Sequence, residues 1–421
     1  MLTGKTDRSP ASEPTDLPRD ELSPMSNRVP KGFRLAGVHC GIKQDPEHED
    51  LTLVVADGPV VAAGVYTKNL IFGAPVSLNR SRTPSDKIRA VVVNSGNANA
   101  CTGQRGLKDA REMARLAAAA CRADAEQVLV MSTGIIGQLL PMDEIKAGIQ
   151  AATQRLGSDE SSLEFAARGM MTTDTVRKIA GCELALAGGE ILITGLAKGA
   201  AMIGPDMATM LCAILTDAAL HVYDAQEMLT ATVDDSFNCI SVEGHMSTSD
   251  TVLLLASGSA VGQPLAGDDL KTFRNALAGV CTELAQAIVA DGEGATHLVT
   301  VEVTGCRSRD DARRIAKTIA ESALVKTAIA GADPNWGRIV SAAGYAGVSF
   351  NPDGVELTLN GSLLYKQGAP IEFDAAEVSA SIRDHRNTHI LLRLAEGNAH
   401  VRFWTTDLTA EYVRLNADYH T

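Results

Sequence analysis

The segment from Lys198 to Leu211 holds the residue whose type and position most favour chemistry. Glycines and a proline interrupt an apolar region there, and they lead to Ala208 and Thr209 at the start of a strand-like stretch. A hydroxyl thus stands where packing favours a hydrophobic side chain, which makes Thr209 a candidate nucleophile. An ordinary strand threonine explains the same residue, because threonine is common in β-strands. The segment alone leaves both interpretations open.

Small polar residues follow two predicted strands in the first half of the chain. The stretch from Asn94 to Gly103 lies between a strand and a helix, where backbone N–H groups can face a ligand. A loop of Asn, Ser and Gly that caps the helix is the structural alternative. Thr133 and Gly134 likewise end a strand, and a hydroxyl beside a glycine amide forms either an oxyanion pair or a simple turn.

Other catalytic and metal-binding patterns are absent from the sequence. No glycine-rich nucleotide loop, Walker A sequence, His-Glu-x-x-His or Gly-x-Ser-x-Gly elbow occurs. His385 and His389 have no Glu between them and their neighbours are rich in Arg and Asp, so a solvated turn is favoured over a metal site. The eight cysteines are scattered singly, which predicts small buried side chains in a reducing compartment rather than a zinc site or disulfides.

Composition predicts a globular chain of two domains or of two closely packed halves. Of 421 residues, 45% are hydrophobic and 21% are charged, and a single core has usually stopped growing at this length. The net charge of −13 argues against a nucleic-acid partner, which selects a basic excess. Met207–Thr216, the longest uncharged apolar stretch near the middle, is too short for a membrane helix. Residues 1–29, rich in proline and charge, are expected to form a disordered cytosolic tail.

Hydrophobic periodicity predicts strands interleaved with helices throughout the chain. The predicted strands are Leu51–Ala56, Ile88–Val93, Val128–Val130, Ile191–Leu196, Leu211–Leu215 and Val299–Val303. The predicted helices are Gly106–Ala123, a helix between Pro141 and Gly157, Leu270–Ile288 and Ala312–Ala323. This order indicates a mixed α/β fold without a fixed-period repeat.

Several blocks of sequence occur in an order that is more specific than any single motif. They are Asn94-Ser-Gly-Asn-Ala-Asn-Ala, Ser132-Thr-Gly-Ile-Ile-Gly, Met171-Thr-Thr-Asp-Thr, Lys198-Gly with Met207-Ala-Thr-Met-Leu, Ser247-Thr-Ser-Asp-Thr, Asp333-Pro-Asn-Trp-Gly-Arg and Leu415-Asn-Ala-Asp-Tyr. With these blocks the chain resembles the ornithine acetyltransferase family of arginine biosynthesis, also called bifunctional glutamate N-acetyltransferase. The resemblance runs from about Pro30 to Thr421.

The resemblance implies an α/β (α+β) fold in two parts, similar to that of self-cleaving aminopeptidases. In this family the precursor cuts itself before a threonine, which implies an α chain of 30–208 after the tail and a β chain of 209–421, cut between Ala208 and Thr209. The freed α-amine of Thr209, with an ordinary pKa of about 7.7–8.0, then acts as base for its own hydroxyl. The strand after Thr209 is expected to thread between elements of the first chain. Two α and two β chains are expected to assemble as a heterotetramer.

The resemblance also assigns roles to individual residues. Thr209 is the acyl acceptor, and the Thr133 hydroxyl and Gly134 amide form its oxyanion hole. The implied substrate-binding positions are Thr172, Lys198, Thr209, Glu293, Asn416 and Thr421, with the neighbours Thr173 and Thr175 as alternatives to Thr172. A lysine suits an α-carboxylate, and a glutamate suits the cationic ornithine side chain.

The implied reaction transfers acetyl from N2-acetyl-L-ornithine to L-glutamate by a ping-pong route in the cytoplasm, without a cofactor or metal. Acetyl-CoA is a further acetyl donor in some members. Two departures leave other functions open: Lys198-Gly-Ala-Ala-Met replaces the expected Lys-Gly-Ser-Gly-Met, and Glu243-Gly-His-Met-Ser-Thr-Ser-Asp replaces Asp-Gly-Asp-Thr-Ser-Thr-Asn-Asp. The two alanines are expected to affect self-cleavage, and His245 and Met246 the substrate pocket. A related acyltransferase or amidohydrolase for another amino-acid derivative, and an uncleaved pseudoenzyme, are the alternatives.

Overall fold

The computed structural model describes residues 28–204 and 210–418, with side chains up to residue 417. Ala208, Thr209, Thr421 and nearly all of the predicted tail therefore lie outside the described residues. The described chain forms two β-sheets with helices packed against them. This is the mixed α/β fold that the sequence predicts.

The strands and helices alternate along much of the chain. In chain order the described strands are β1 (Phe33–Val38), β2 (Leu51–Tyr66), β3 (Ser85–Asn97), β4 (Val128–Ile135), β5 (Lys178–Leu186), β6 (Gly189–Lys198), β7 (Leu211–Thr216), β8 (Ile240–Ser241), β9 (Thr251–Ala256), β10 (Leu298–Cys306), β11 (Glu356–Leu359), β12 (Ser362–Lys366), β13 (Ala369–Pro370), β14 (Asn387–Arg393) and β15 (Ala399–Thr406). The described α-helices are α1 (Ala74–Arg80), α2 (Gly103–Cys121), α3 (Met142–Gln154), α4 (Glu160–Met170), α5 (Val222–Asp235), α6 (Gly267–Ala290), α7 (Arg309–Glu321), α8 (Ala323–Ala330), α9 (Trp336–Gly344), α10 (Ala375–Arg383) and α11 (Ala410–Asp418).

The first sheet is covered on both faces, which explains why its strands are continuous apolar runs. Its strand order is β4-β3-β2-β9-β7-β6-β5, and β1 pairs with β2 at its side. On β7, Leu211 and Ala213 face the core shared with α4, whereas Cys212 and Ile214 face the core shared with α5 and α6. Helices α2 and α3 cover the β3–β4 end of that second face.

Strands β7 and β9, which follow residue 209 in the chain, lie between β2 and β6, which precede it. β7 pairs in parallel with β9, β9 pairs with β2, and β7 pairs with β6. The pair β7–β9 is therefore held on both sides by the first part of the chain. This confirms the prediction that the strand after Thr209 threads between elements of the first part, and it adds β9 to that arrangement.

The second sheet is built from the second part of the chain and has the order β13-β12-β11-β14-β10-β15-β8. Strand β10 runs parallel to β14 and antiparallel to β15. Helix α7 packs on β10 and β15, and one apolar core continues from this sheet through α6 to the first sheet. The two sheets thus share a core, as expected for closely packed halves.

Each strand and helix predicted from periodicity is present in the structure, but its ends differ and many further elements were not predicted. The strands predicted at 51–56 and 88–93 extend to the full lengths of β2 and β3. The helix predicted at 312–323 corresponds to α7, which ends at Glu321 because Ser322 follows it and accepts the N–H of Val325 to begin α8.

Two further predictions concern the burial of the cysteines and the length of the apolar segments. All eight cysteines are free thiols. The prediction of buried side chains is right for Cys182, Cys212, Cys239, Cys281 and Cys306, but Cys40 and Cys121 are half-buried and Cys101 is exposed in the turn before α2. Within 28–204 and 210–418, no helix is long and apolar enough to cross a membrane.

The strand order predicts that a cut within residues 205–209 will not separate the two parts of the chain. Separation would break the β2–β9 and β6–β7 ladders and expose their apolar faces to water, which is strongly unfavourable. We expect the cut protein to elute as one species in native size-exclusion chromatography and to yield two fragments only in denaturant. Two native peaks would contradict this arrangement.

Candidate active site

Thr133 and Gly134 lie at the end of β4, beside the parallel strand β3. Thr133 is buried, and Gly134 has a φ of +130°, which L side chains rarely adopt. A Cβ at Gly134 would lie 2.2 Å from the carbonyl carbon of Gly96, so the site accepts only glycine. The close approach of β3 therefore constrains the backbone at Gly134.

The polar stretch that begins at Asn94 supports this turn through its side chains. The Asn94 amide group donates to the Asn97 carbonyl at 2.8 Å, and its oxygen accepts from Ser132 Oγ at 2.6 Å. The Asn97 amide group donates to the carbonyls of Gln138 and Leu139. These side chains therefore hold backbone groups of the neighbouring turns, but the helix-capping alternative is not confirmed, because among the described residues no side chain caps the start of α2.

Lys198, the last residue of β6, reaches towards two threonines of the predicted site. Its Nζ donates to Thr172 Oγ1 at 2.7 Å and lies 3.5 Å from Thr133 Oγ1. Of the alternatives to Thr172, Thr173 lines the same cavity, whereas Thr175 donates its hydroxyl to a carboxylate that does not line it. Of these three threonines, Thr172 is therefore the one whose hydroxyl accepts a hydrogen bond from the Lys198 ammonium.

A buried carboxylate, Asp174, organises the surroundings of Lys198. It accepts the backbone N–H groups of Thr172 at 2.9 Å and Gly199 at 2.6 Å, and the ammonium of Lys178 at 2.7 Å. Burial raises the pKa of Asp174, but the ammonium groups of Lys198 and Lys178 outweigh burial and hold it well below its usual range. Burial lowers the pKa of Lys198, and Asp174 opposes that shift.

Glu293 reaches the site from the loop after α6. Its backbone N–H donates to the Ala200 carbonyl at 2.9 Å, and its carboxylate accepts from Asn416 Nδ2 at 3.0 Å. Asn416 belongs to α11, and Tyr412 of the same helix also lines the cavity. The loop after α6, the last helix and the end of β6 therefore converge at one place.

These residues surround one cavity of about 190 Å³. The predicted site residues on its wall are Thr133, Gly134, Thr172, Lys198, Glu293 and Asn416. The structure thus brings together every predicted site residue that falls within the described ranges. Ala208, Thr209 and Thr421 lie outside them.

Two buried acids near the cavity were not among the predicted site residues. Neither carboxylate oxygen of Glu243 has a hydrogen-bond partner in the described part of the chain, and burial raises the pKa of Glu243 to about 8. Asp250 accepts the N–H of Met210 at 3.1 Å, and burial raises its pKa well above the usual range. Two different signals in the sequence could have pointed to them: Glu243 departs from the family pattern, whereas Asp250 belongs to the matching block Ser247-Thr-Ser-Asp-Thr.

The two histidines lie in different elements of the fold. Over the described ranges, no group of three or more His, Cys, Asp or Glu residues could hold a metal ion. His385 lies in the exposed turn after α10, as predicted. The turn prediction is wrong for His389, because that residue lies on β14, with Nε2 3.1 Å from Glu302.

The wall of the cavity combines threonine hydroxyls, a glycine and a buried lysine, whose Nζ lies 3.5 Å from Thr133 Oγ1. Comparison with known proteins gives the family: the sequence pattern of the ArgJ family matches residues 34–421. The chain therefore belongs to the ArgJ family and is an acyltransferase of arginine biosynthesis, which confirms the resemblance drawn from its sequence blocks.

Individual relatives match along nearly their whole length. The arginine biosynthesis bifunctional protein ArgJ of Rhodopirellula baltica is 44% identical over 419 residues, covering 99% of this chain and 100% of that protein. The protein of the same name from Symbiobacterium thermophilum is 44% identical over 397 residues, covering 93% and 98%. The crystal structure of ArgJ from Bacillus halodurans has a TM-score of 0.47 and 40% identity, covering 48% of this chain and 96% of that chain. The Mycobacterium tuberculosis ornithine acetyltransferase complexed with ornithine has a TM-score of 0.41 and 36% identity, covering 44% and 97%.

The contact between Gly134 and β3 makes a prediction about stability. Gly134→Ala should lower the free energy of unfolding by about 2–4 kcal/mol, because its methyl group meets backbone and its φ is strained. Gly58→Ala is the matched control: nothing lies within 4 Å of its Cβ position, and a change within about 0.5 kcal/mol is expected. Denaturant unfolding measures both. Equal midpoints for the two variants would contradict the prediction, because they would show that β3 moves away from the new methyl group at little cost in free energy.

The raised pKa of Glu243 predicts that the stability of the fold depends on pH. The pKa of Glu243 is about 8 in the folded chain and about 4.3 in the unfolded chain, so between these values only the folded chain holds the proton. The free energy of unfolding therefore falls as the pH rises through this range, by about 1 kcal/mol per pH unit. Glu243→Gln removes the titrating group and should flatten this decline. Unfolding midpoints of both proteins at mildly acidic and mildly basic pH measure the difference. Parallel declines would contradict the assignment.

Proposed function

We propose that the protein is a glutamate N-acetyltransferase that moves the acetyl group of N2-acetyl-L-ornithine to L-glutamate through an acetylated Thr209. The observation that carries the proposal is the single cavity whose wall holds Lys198 and Glu293 together with Thr133 and Gly134. A cation and an anion there match the charges of an acetylated basic amino acid, and the other two residues match a tetrahedral oxyanion.

Self-cleavage supplies the nucleophile in this proposal. The Thr209 hydroxyl attacks the Ala208 carbonyl carbon, the peptide C–N bond breaks as its nitrogen takes a proton, and water hydrolyses the resulting ester. The products are chains of 208 and 421 − 208 = 213 residues. The new α-amine of Thr209 has an ordinary pKa of about 7.7–8.0, which suits a base near neutral pH.

Acetyl transfer to the enzyme is the first half of the reaction. The Thr209 hydroxyl attacks the acetyl carbonyl carbon, and its proton passes to the α-amine. The resulting oxyanion accepts hydrogen bonds from the Thr133 hydroxyl and the Gly134 N–H. Because Lys198 approaches Thr133 Oγ1 as a donor, the Thr133 proton is free for the oxyanion. Collapse breaks the acetyl C–N bond, and the α-ammonium returns the proton to the ornithine nitrogen that leaves.

Glutamate completes the cycle after ornithine has left. Its amine attacks the acetyl-Thr209 ester carbon at the same oxyanion hole, and the α-amine of Thr209 takes the proton from the attacking nitrogen. The ester C–O bond then breaks, and the threonine oxygen regains the proton. Because one product leaves before the second substrate binds, the kinetics are ping-pong.

Charge on the cavity wall accounts for substrate recognition in this proposal. Lys198 pairs with the α-carboxylate that both substrates carry, and this pairing favours the charged form of a lysine whose pKa burial lowers. Glu293 pairs with the side-chain ammonium of N-acetylornithine. Asn416 holds the Glu293 carboxylate at 3.0 Å in the orientation needed. The reaction uses no cofactor, and acetyl-CoA is a further acetyl donor to be tried.

The same proposal covers assembly and location. Two α and two β chains form a heterotetramer, and the enzyme works in the cytoplasm. The interleaved strands β7 and β9 support the lasting association of one α with one β chain. Mass measurement of the native assembly tests its stoichiometry.

The proposal is tested first at Thr209. Intact mass under denaturing conditions should reveal two chains, the second with Thr209 at its N terminus, and N2-acetyl-L-ornithine should add one acetyl group to that chain. Thr209→Ala should remain a single uncut chain without acetyl transfer, because both the nucleophile and its amine are lost. Thr230→Ala, on an exposed stretch of α5, is the control and should cut and turn over normally. Wild-type turnover by Thr209→Ala would remove that residue from the mechanism.

A further inference from the structure

A row of alternating charges runs away from the cavity beneath Lys198. We call Lys198, Asp174, Lys178 and Asp291 the charge ladder. Lys198 Nζ lies 3.8 Å from Asp174 Oδ2, Lys178 Nζ lies 2.7 Å from Asp174 Oδ1, and Lys178 Nζ lies 2.6 Å from Asp291 Oδ2. The side chains of Lys178 and Asp174 are fully buried and that of Asp291 is 5% exposed. Buried charges at these distances interact strongly, so their geometry is closely constrained.

Lys178 has no proton to offer a substrate. Its ammonium donates to Asp174, to Asp291 and to the Val176 carbonyl at 3.3 Å, which uses all three of its hydrogens. Neither Lys178 nor Asp291 lines the cavity. Any effect of this pair on the reaction must therefore pass through the residues that do.

Asp291 joins the two parts of the chain close to the site. It directly follows α6, and it accepts the Thr175 N–H at 3.0 Å and the Thr175 hydroxyl from the first part of the chain. Glu293 stands two residues later, so its Cα is within about 7 Å of that of Asp291 by chain length alone. A second tie fixes the same loop, because the Glu293 N–H donates to the Ala200 carbonyl at 2.9 Å.

We propose that Lys178 and Asp291 are positioning residues that set Glu293 at its working distance from Lys198. The charge ladder ends at Lys198 on one side and at the loop of Glu293 on the other, so it links the groups that bind the α-carboxylate and the side-chain ammonium of N-acetylornithine. This inference rests on the proposed function for the identity of the substrate. The inference that the charge ladder positions Glu293 does not depend on the identity of the substrate.

Discrimination between two donors measures the positioning. N2-acetyl-L-norvaline has the carbon skeleton of N2-acetyl-L-ornithine without the terminal ammonium, so only the ornithine compound uses Glu293. We expect the wild type to prefer N-acetylornithine in kcat/KM by about 100-fold, as one charge-assisted hydrogen bond allows. Asp291→Asn keeps the shape of the side chain but removes its charge, and it should reduce this preference by about tenfold, mainly through a higher KM for N-acetylornithine.

A matched control separates positioning from a general loss of packing. Asp217 is another buried carboxylate, and it accepts two backbone N–H groups, those of Leu192 and Lys31. Asp217 lies about 20 Å from Leu211 in the direction of β7. Asp217→Asn should leave the preference for N-acetylornithine unchanged, whatever it does to stability. An equal fall of kcat/KM for both donors in Asp291→Asn would overturn the role in specificity.

Hydrogen exchange tests the positioning without any substrate. In Asp291→Asn, backbone amides of residues 292–295 should exchange at least tenfold faster than in the wild type, whereas Asp217→Asn should leave them unchanged. Lys178→Met should give the same local increase from the other end of the contact. Unchanged exchange in both ladder variants would overturn the positioning inference. A wild type that shows no acetyl transfer would refute the proposed function, and the exchange data would still decide the placement of Glu293.

Discussion

The carboxylate of Asp174 is the interaction on which the geometry of the site depends. It accepts N–H groups from the segment that carries Thr172 and from the residue after Lys198, and it binds Lys178 as well. A fully buried carboxylate is costly unless such donors surround it, so the folded chain must bring these segments together. The hydrogen bond between Lys198 and Thr172 follows from that requirement.

Strand order imposes a second constraint at larger scale. Residues 199–210 connect the end of β6, which carries Lys198, to the start of β7, and these strands are direct neighbours in the sheet. Lys198 pairs with Leu211, and the hydrogen bond from the Met210 N–H to Asp250 holds the residue before that pair in place. A cut within residues 205–209 would therefore leave both strands paired with their neighbours in the sheet.

The sequence predicted part of the secondary structure and several residues on the wall of the cavity, but not the contacts behind that wall. Apolar periodicity located six strands and four helices because such patterns are local, the ordered blocks contain Lys198 and Asn416, and the family resemblance assigned Glu293. Nothing local pairs Lys178 with Asp291, which are 113 residues apart and belong to different parts of the chain. Ser322 ends one helix and begins the next through a single side-chain hydrogen bond, which periodicity does not register. Burial and long-range pairing decide both cases, and each requires coordinates.

The departures from the family pattern differ in what they touch. Ala200 is buried, and the group it supplies to the site is its carbonyl, which accepts the N–H of Glu293 and is present in every residue type. Met246 likewise contributes a carbonyl, to Asn69 at 3.1 Å. His245, in contrast, is exposed and lines the cavity beside Glu243, whose carboxylate oxygens have no partner among the described residues. Of these three departures, His245 is therefore the one whose side chain, rather than its backbone, belongs to the wall of the cavity.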